Sequence, residues 1–383
     1  MTTEGFIAGR LEFKGKMAVI AIAVSFLVII IAVAVSAGFR HEIRDGLSGA
    51  TGDVILSQAV RSEEGSPFVA DLSYLEKLRD CPGVLDIRPV VYSSGIVKNG
   101  DDIHGVLFKG VPDSSSLSAS IPRRLAELLQ LSEGDAMTSY FIDEKVKARK
   151  FTVRSVYDNI TDSGSELIVH VPAGDLQRLN GWNSGEVTAL EVSLEERFRS
   201  RAAMQRKAAE LGEICILYAS EDEPVLKAVS AADRYPGIFD WLDLIDFNVV
   251  AILILMVIVA GFNMISGLLI MLFRNIPTIG TLKALGMSDR SVAGVFVRVA
   301  ARIAAQGMAL GNAAALLFCL VQGTTHLIRL NPENYFVPYV PIQVDIPLIL
   351  AADAIAFVLI VLMELVPTVF ISKVDPATTV KSD

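Results

Sequence analysis

The chain has 383 residues, 52% of them hydrophobic, with a mean hydropathy of +0.49 and a formal net charge of −9 at pH 7. An acidic chain lacks the basic surface that binds a phosphate backbone, so we expect no nucleic-acid partner. The hydrophobic residues are concentrated near the N-terminus and in the last third of the chain. This pattern is typical of a membrane protein with a large soluble insertion and excludes an ordinary soluble enzyme.

Four apolar runs predict transmembrane helices, because a bilayer core about 30 Å thick needs roughly 20 helical residues to cross it. The first run is too long for a signal peptide and lacks a small-residue cleavage site, so we interpret it as a retained anchor. The last run is interrupted by Asp353 and Glu364. The runs are 17–38, 247–273, 303–321 and 346–371.

The distribution of Lys and Arg near the ends of these runs predicts the orientation of the chain. Basic residues precede the first run, follow the fourth, and lie between the second and third, where Arg274, Lys283 and Arg290 stand. These segments are therefore expected in the cytoplasm. Residues 39–246 carry 23 basic and 34 acidic side chains and are expected on the outer, periplasmic side of the membrane. The chain is thus predicted to be a multi-pass membrane protein with both termini cytoplasmic.

The periplasmic segment has a mixed α/β pattern in which two β-α-β units bracket an insert at 99–185. This arrangement predicts a ferredoxin-like split subdomain with an inserted β-rich subdomain. The first unit is predicted as strand 53–57, helix 71–80 and strand 84–98, the second as strand 187–194, helix 195–211 and strand 214–217, and the insert contains a helix at 121–131.

Residues 219–246 are predicted to form an amphipathic helical stalk that returns the chain to the membrane. Trp241 in this stalk either marks the membrane interface or packs in the core of the periplasmic domain.

The predicted fold class is an α-helical membrane protein with four transmembrane helices plus a large α/β extracytoplasmic domain. The predicted segments are a cytoplasmic N-terminus (1–16), helix 1 (17–38), the extracytoplasmic domain and stalk (39–246), helix 2 (247–273), a cytoplasmic coupling loop (274–290), helix 3 (291–321), an extracytoplasmic loop (322–345), helix 4 (346–371) and a cytoplasmic tail (372–383).

The loop between the second and third runs predicts a short, well-terminated helix of about nine residues. Pro277 suits its first turn and Gly286 suits the left-handed position that ends it. Ser288 is placed to cap the next membrane helix. Three apolar residues recur at helical spacing, which predicts one apolar face, and Lys283 lies among them. Such a helix is either a rigid lever for a partner protein or an interfacial turn on lipid headgroups. The three apolar residues are Ile279, Leu282 and Leu285.

Motifs for catalysis are absent from the sequence. There is no Gly-x-x-x-x-Gly-Lys-Ser/Thr phosphate loop, no His-Glu-x-x-His and no Gly-x-Ser-x-Gly. We therefore expect no catalytic, cofactor-binding or metal-binding residue in this chain, and the four scattered histidines are interpreted as surface or structural residues. Cys81 and Cys215 both fall in the periplasmic segment, but their spacing does not establish whether they form a disulfide.

Several motifs together resemble the lipoprotein-releasing ABC permeases, a branch of the four-helix permease family that includes macrolide-efflux and cell-division members. The residues Ala-Gly-Phe-Asn-Met-Ile-Ser at 260–266, with the loop that follows them, resemble the second helix and coupling helix of that branch. Pro277, Thr278 and a third helix with few glycines depart from the family pattern. Further similarities lie at 35–39, 131–135, 151–153, 331–335, 340–341 and 371–377, so the resemblance runs nearly end to end.

This resemblance implies a permease subunit of the bacterial inner membrane that is driven by a dimer of separate ABC ATPase subunits, which would hold the ATP and Mg²⁺. It also implies a second permease subunit, identical or paralogous, and a lipoprotein that enters from the outer leaflet and leaves for a periplasmic carrier. The acyl chains require an apolar wall next to membrane lipid, which the first two membrane helices are expected to supply, although ordinary helix packing is the alternative for each residue. The wall residues are Phe26, Ile30, Val33 and Phe39 on the first helix and Leu255, Val259, Phe262, Met264 and Leu268 on the second.

Two further expectations carry alternatives. Arg302 and Glu364 lie at similar predicted depth and are expected to form an intramembrane ion pair, unless each side chain snorkels to the interface. In function, the main alternative is a permease of the same fold that transmits force to an efflux duct or a cell-wall hydrolase, and a second alternative is a membrane sensor or scaffold without transport.

Overall fold

The computed structural model describes residues 16–58, 66–112, 116–142, 146–158 and 166–368, and the predicted N-terminal segment up to residue 15 and tail 372–383 lie outside them. The chain divides into two compact units. The helical unit comprises 1–40, 243–329 and 339–383, and the β-rich unit comprises 41–242 and 330–338.

Numbered along the described residues, the helices and strands are as follows. The helices are α1 (Lys16–Thr51), α2 (Leu75–Arg79), α3 (Arg123–Leu128), α4 (Ala173–Asn180), α5 (Arg201–Tyr218), α6 (Ala231–Arg234), α7 (Pro236–Arg274), α8 (Ile276–Ala284), α9 (Asp289–Thr325), α10 (Pro332–Tyr335), α11 (Ile346–Met363) and α12 (Leu365–Thr368). The strands are β1 (Val54–Gln58), β2 (Phe68–Val69), β3 (Val84–Asn99), β4 (Asp102–Val111), β5 (Ser118–Pro122), β6 (Ala136–Ile142), β7 (Val146–Tyr157), β8 (Ile168–Pro172), β9 (Glu186–Val187), β10 (Ala189–Leu194) and β11 (Leu226–Ser230).

Four helices, α1, α7, α9 and α11, are long and apolar enough to cross a membrane, as predicted. Three of them are longer than the apolar runs that predicted them. The helix α1 continues 13 residues beyond Gly38, to Thr51, and α7 begins at Pro236 rather than near 247. The length of an apolar run shows how much of a helix is apolar. It does not show where the helix ends, because the backbone hydrogen bonds continue into the polar residues on either side.

The structure contradicts part of the predicted helical stalk at 219–246 and the whole of the predicted strand at 214–217. Residues 226–230 form strand β11, so the return to the membrane is helical only from Ala231 onwards. The predicted strand 214–217 lies inside α5. The helix passes through Gly212, where an added Cβ would make an ordinary contact, 3.5 Å, with the Ala228 side chain of β11. Trp241 packs edge-on against Phe336, with ring centroids 5.3 Å apart, in keeping with the core-packing alternative.

The β-rich unit contains a nine-stranded sheet in the order β11-β1-β10-β3-β4-β8-β5-β7-β6. The first four strands pair antiparallel. The last six form a closed ring, because β6 also pairs with β3. The 16-residue β3 joins both parts, since residues 84–90 pair with β10 and residues 91–99 pair with β4. The predicted insert is therefore a ring of strands built onto an extension of β3.

The core of the helical unit is formed by apolar side chains of α1, α7, α8, α9 and α11. Two glycines of α9 allow it to approach α1 closely. A Cβ on Gly307 would lie 2.6 Å from Ile22, and one on Gly311 would collide with the carbonyl oxygen of Ala23. Few glycines are present in α9, but these two lie where α1 crosses it.

Candidate functional site

The short helix α8 has the length and ends predicted from the sequence. It spans nine residues, with Pro277 in the first turn. Gly286 has φ of +92°, and the Met287 N–H donates to the Leu282 carbonyl at 3.0 Å. Ser288 caps α9 by accepting a hydrogen bond from the Ser291 N–H at 3.3 Å. These contacts close the C-terminal end of α8 and start α9 directly after it.

The apolar residues of α8 do not share one face, and this part of the prediction is wrong. Ile279 is buried in the core of the helical unit, Leu282 is half-buried, and Leu285 is 81% exposed. Leu285 caps the C-terminus of the helix, so the helical periodicity that relates the other two residues does not extend to it. The helix is anchored by Ile279 and presents Leu285, together with exposed Pro277 and Gly286, at its surface.

Lys283 is held against the start of α9. Its Nζ lies 2.8 Å from an Asp289 carboxylate oxygen, and its side chain is only 9% exposed. Asp289 is also placed favourably at the positive N-terminal end of α9. Lys283 therefore joins α8 to the next membrane helix and does not present a charge to a partner.

The residues predicted to line a lipid wall separate into two groups, one buried and one exposed. Phe26, Ile30, Val33, Met264 and Leu268 are buried in apolar clusters between the helices of this unit, as ordinary packing would have them. Phe39 is also buried. In contrast, Leu255, Val259 and Phe262 are exposed on α7.

A small apolar void lies between α1, α7 and α9. It has a volume of about 10 Å³ and is lined by residues that include Met264, Met271 and Ile303. This volume is no larger than one water molecule needs, so the void does not hold an acyl chain. Among the predicted wall residues, those exposed on α7 include Phe262, which is 61% exposed.

The predicted intramembrane pair of Arg302 and Glu364 is wrong. Glu364 is completely buried, and neither of its carboxylate oxygens has a hydrogen-bond partner among the described residues. Arg302 is exposed on α9, whose buried face carries Ile303 and Gly307. The prediction was based on the similar depth of the two residues in the membrane. In the structure the Glu364 side chain is buried, whereas the Arg302 side chain is exposed. Asp353 does have a partner that was missed, because the Asn312 amide donates to its carboxylate at 2.5 Å.

A polar contact between α1 and α7 was also missed. Asp246 of α7 accepts hydrogen bonds from Arg40 at 2.6 Å and from Ser36 at 2.8 Å. Ser36 and Arg40 are four residues apart on α1 and thus on one face, which is a signal that the sequence contained. The contact fixes the end of α1 that belongs to the helical unit against α7.

The same part of α1 contacts the segment that follows α10. A Cβ on Gly38 would collide with the carbonyl oxygen of Pro341, and the Gln343 N–H donates to the Ala34 carbonyl at 3.1 Å. Two stretches singled out in the sequence, 35–39 and 340–341, are therefore neighbours in the structure. Gly38 is required because the backbones approach too closely for a side chain.

The β-rich unit holds a buried ionic cluster where α1 ends. Lys109 Nζ lies 2.6 Å from Glu191 and donates to the Ala50 carbonyl at 2.5 Å, and the Tyr92 hydroxyl donates to Glu191 at 2.5 Å. Burial lowers the pKa of Lys109, and the Glu191 carboxylate opposes this effect. Burial and the same carboxylate raise the pKa of Tyr92. The cluster satisfies a carbonyl at the C-terminus of α1 and connects it to β3, β4 and β10.

The three cysteines, Cys81, Cys215 and Cys319, are free and buried, so this structure contains no bond between Cys81 and Cys215. The Cys81 thiol instead donates to Glu210 at 3.2 Å. Burial and this carboxylate raise the pKa of the Cys81 thiol, which therefore favours the protonated form.

Comparisons with known proteins match both the helical unit and the full length of the chain. The family described as FtsX-like permease C-terminal matches residues 250–376. The lipoprotein-releasing system transmembrane protein LolC of Neisseria meningitidis serogroup B is 24% identical, over 97% of this chain and 95% of the relative.

Two solved structures are similar in part. The periplasmic region of MacB from Actinobacillus actinomycetemcomitans shares 12% identity and a TM-score of 0.30, over 51% of this chain and 97% of that chain. The extracellular domain of the noncanonic ABC-type transporter YknZ from Gram-positive bacteria shares 14% identity and a TM-score of 0.29, over 46% of this chain and 100% of that chain. At these TM-scores the two likenesses add nothing to the fold described above.

The family match contains α8, α9 and α11 and also residues 250–274 of α7, so it covers the short helix and most of three of the four candidate membrane helices. Residues 250–376 match the FtsX-like permease family, and the described residues include four helices long and apolar enough to cross a membrane, so the resemblance of the chain to the four-helix permease family is confirmed.

Proposed function

We propose that this chain is the permease subunit of an ABC transporter that extracts lipoproteins from the outer leaflet of the bacterial inner membrane and passes them to a periplasmic carrier. The observation that carries the proposal is the match to LolC, which extends over nearly the whole of both chains. A shared membrane domain alone would support only the permease family. The match over the β-rich unit as well favours the function that the name of that relative states.

The proposed driving partner is a dimer of ABC ATPase subunits that docks on α8 from the cytoplasm. Leu285 supports this role, because an apolar side chain that is 81% exposed at the end of a capped helix is suited to fill a pocket in a partner. Burial of Ile279 would transmit a push on α8 into the core of the helical unit. A second permease subunit completes the proposed transporter, and the proposed holder of ATP and Mg²⁺ is the ATPase partner.

We also propose the orientation and finer fold that the sequence suggested. The excess of Lys and Arg around α8 supports its cytoplasmic position, which places the β-rich unit in the periplasm. The ferredoxin-like assignment is supported by the strand order β11-β1-β10-β3, in which α2 follows β1 and α5 follows β10.

The test is lipoprotein release by the chain reconstituted in proteoliposomes with its ATPase, any second permease subunit and a soluble carrier. Leu285→Asp places a charge at the proposed contact without touching the core, and we expect it to abolish ATP-dependent release and ATPase docking. Leu282→Asp should do the same but also disturb packing, since Leu282 is half-buried. The matched control is Leu327→Asp, because Leu327 is 76% exposed and lies just beyond the other end of α9.

Three results would separate this proposal from its alternatives. Unchanged release with Leu285→Asp would contradict the docking role of α8. ATPase docking without any lipoprotein release, together with a co-purifying hydrolase or efflux duct, would favour force transmission to another partner. Failure to bind any ATPase would contradict the transporter itself.

A further inference from the structure

Six polar side chains of the β-rich unit form a continuous connection between the end of α1 and the start of α7. Residues 41–51 of α1 and 236–242 of α7 belong to this unit, and both helices are candidate membrane spans. A link between the two helix ends inside the β-rich unit therefore joins two membrane helices that are far apart in the sequence. The six residues are Lys109, Glu191, Tyr92, Arg234, Glu166 and Tyr235.

At one end of the connection, Lys109 satisfies the last turn of α1. A helix leaves its last four carbonyls without partners inside the helix, and Lys109 Nζ donates to the Ala50 carbonyl at 2.5 Å. The same nitrogen lies 2.6 Å from a Glu191 carboxylate oxygen, and the two side chains are only 7% and 1% exposed. Because water screens so buried a pair only weakly, the position of Lys109 depends on that of Glu191.

At the other end, Glu166 holds the two residues that precede α7. Its carboxylate accepts hydrogen bonds from Arg234 Nη2 at 2.8 Å and Nε at 3.3 Å, and from the Tyr235 hydroxyl at 2.6 Å. The Tyr235 carbonyl in turn accepts from the Ile238 N–H at 3.1 Å, in the first turn of α7. One carboxylate just before β8 thus fixes the chain where α7 begins.

Tyr92 of β3 joins the two ends. Its hydroxyl donates to Glu191 at 2.5 Å, and the Arg234 guanidinium carbon lies over its ring, 5.9 Å from the ring centre. A guanidinium at this distance is attracted to the face of an aromatic ring. Tyr92 is buried, and polar groups that share partners in a buried network strengthen one another. A change at one end of the connection is therefore felt at the other.

We propose that this network couples the C-terminal turn of α1 to the N-terminal turn of α7, so that loosening one helix end loosens the other. The coupling is reciprocal, as it is between any two linked sites. It is a property of the β-rich unit and does not rest on the proposed transport function. Glu166 is its accessible member, since its side chain is 28% exposed, whereas Lys109 and Glu191 are fully enclosed.

The test is hydrogen–deuterium exchange of the full chain in detergent, followed by mass spectrometry. Glu166→Ala removes the acceptor at the start of α7 without leaving an unpaired charge in the deeply buried part of the network. We expect the Gly52 amide, which donates to the Ser48 carbonyl at the end of α1, to exchange about fivefold faster or more. The Val153 amide, which donates to the Asp135 carbonyl, is the reference within the same unit and should exchange as in wild type.

The matched control is Asp240→Ala. It breaks the ion pair of 2.6 Å between α7 and Arg201, which lies outside the network, and should leave exchange at Gly52 unchanged. Tyr92→Phe removes only the hydroxyl that reaches Glu191. In this background, Glu166→Ala should no longer accelerate exchange at Gly52.

Unchanged exchange at Gly52 with Glu166→Ala would overturn the proposal, and so would an equal acceleration with Asp240→Ala. Faster exchange at both Gly52 and Val153 would also overturn it, because the whole unit would then have lost stability. Full acceleration by Glu166→Ala in the Tyr92→Phe background would contradict coupling through Tyr92. If Tyr92→Phe does not fold, the comparison of Glu166→Ala with Asp240→Ala still decides.

Discussion

At the scale of single residues, Glu364 shows why depth in the membrane does not predict a partner. Its carboxylate is completely buried without a hydrogen bond among the described residues, and Arg302 is on the exposed side of α9. A buried polar group without a partner costs about 1–3 kcal/mol, and replacing it with an apolar group of similar shape removes that cost. Glu364 thus lowers the free energy of unfolding of the helical unit.

We predict that Glu364→Met raises the free energy of unfolding of the chain in detergent by about 1 kcal/mol or more. Combined with Arg302→Met, the changes should add to within about 0.5 kcal/mol, because the side chains do not interact. Unfolding of the two single variants and the double variant, followed by circular dichroism, measures the coupling. A loss of stability with Glu364→Met, together with a coupling energy above about 1 kcal/mol between the two changes, would instead support the ion pair predicted from the sequence.

His170 gives a second prediction at this scale. It stacks on Tyr157 with ring centroids 4.9 Å apart. Burial, with a smaller effect from the Lys109 charge, lowers its pKa from 6.5 to about 4. The folded state therefore binds a proton more weakly than the unfolded state. Stability of the β-rich unit should fall as the pH falls from about 6.5 to about 4, and this contribution should be absent above 6.5.

The measurement is the free energy of unfolding between pH 4 and pH 8 for wild type and His170→Gln, which has no titrating group in this range. The curve for wild type should be steeper below pH 6.5. Parallel curves for wild type and His170→Gln would show that burial of His170 does not affect its protonation.

At the scale of elements, the sequence predicted what local chemistry determines. The length of α8, the left-handed Gly286 and the cap at Ser288 all follow from residues within a few positions of each other. The faces of α8 and the separation of the lipid-wall residues depend on which helices pack together, and hydropathy alone does not contain that information.

The two glycines Gly38 and Gly49 of α1 make this distinction testable. A Cβ on Gly38 would collide with the backbone at Pro341, whereas a Cβ on Gly49 would meet nothing within 4 Å. Ala is favoured over Gly in a helix by about 1 kcal/mol. We predict that Gly49→Ala stabilises the chain by up to that amount, and that Gly38→Ala destabilises it because the clash outweighs the gain in helix propensity.

Thermal unfolding of the two variants in the same detergent measures the difference. Gly38→Ser should resemble Gly38→Ala, since any side chain meets the same backbone. If both alanine variants were stabilised equally, the segment at 341–343 would not be held against α1 in solution, and the proposed fit of 35–39 to 340–341 would be wrong.

At the scale of the whole molecule, the β-rich unit is assembled from two separate parts of the sequence. Most of it is 41–242, but residues 330–338, which lie between α9 and α11, belong to it as well. Within this segment Val337 is buried, Phe336 packs against Trp241, and the Leu330 N–H donates to the Pro338 carbonyl at 2.9 Å. Chain order alone assigned the segment to a loop between membrane helices.

We predict that a fragment of 41–242 folds as a soluble protein and is stabilised when 330–338 is attached through a flexible Gly/Ser linker. Burial of Val337 and the Phe336–Trp241 contact should each contribute on the order of 1 kcal/mol or more, which corresponds to an increase in melting temperature of several degrees for a unit of this size. Phe336→Ala in the joined fragment should remove part of the increase, whereas Tyr335→Ala, at a half-exposed position, should leave it unchanged. Melting curves by circular dichroism compare the four proteins directly. If the fragments with and without 330–338 melted at the same temperature, the segment would contribute nothing to the stability of the β-rich unit, and Trp241 would be free to meet the membrane interface, as the alternative interpretation of the sequence allowed.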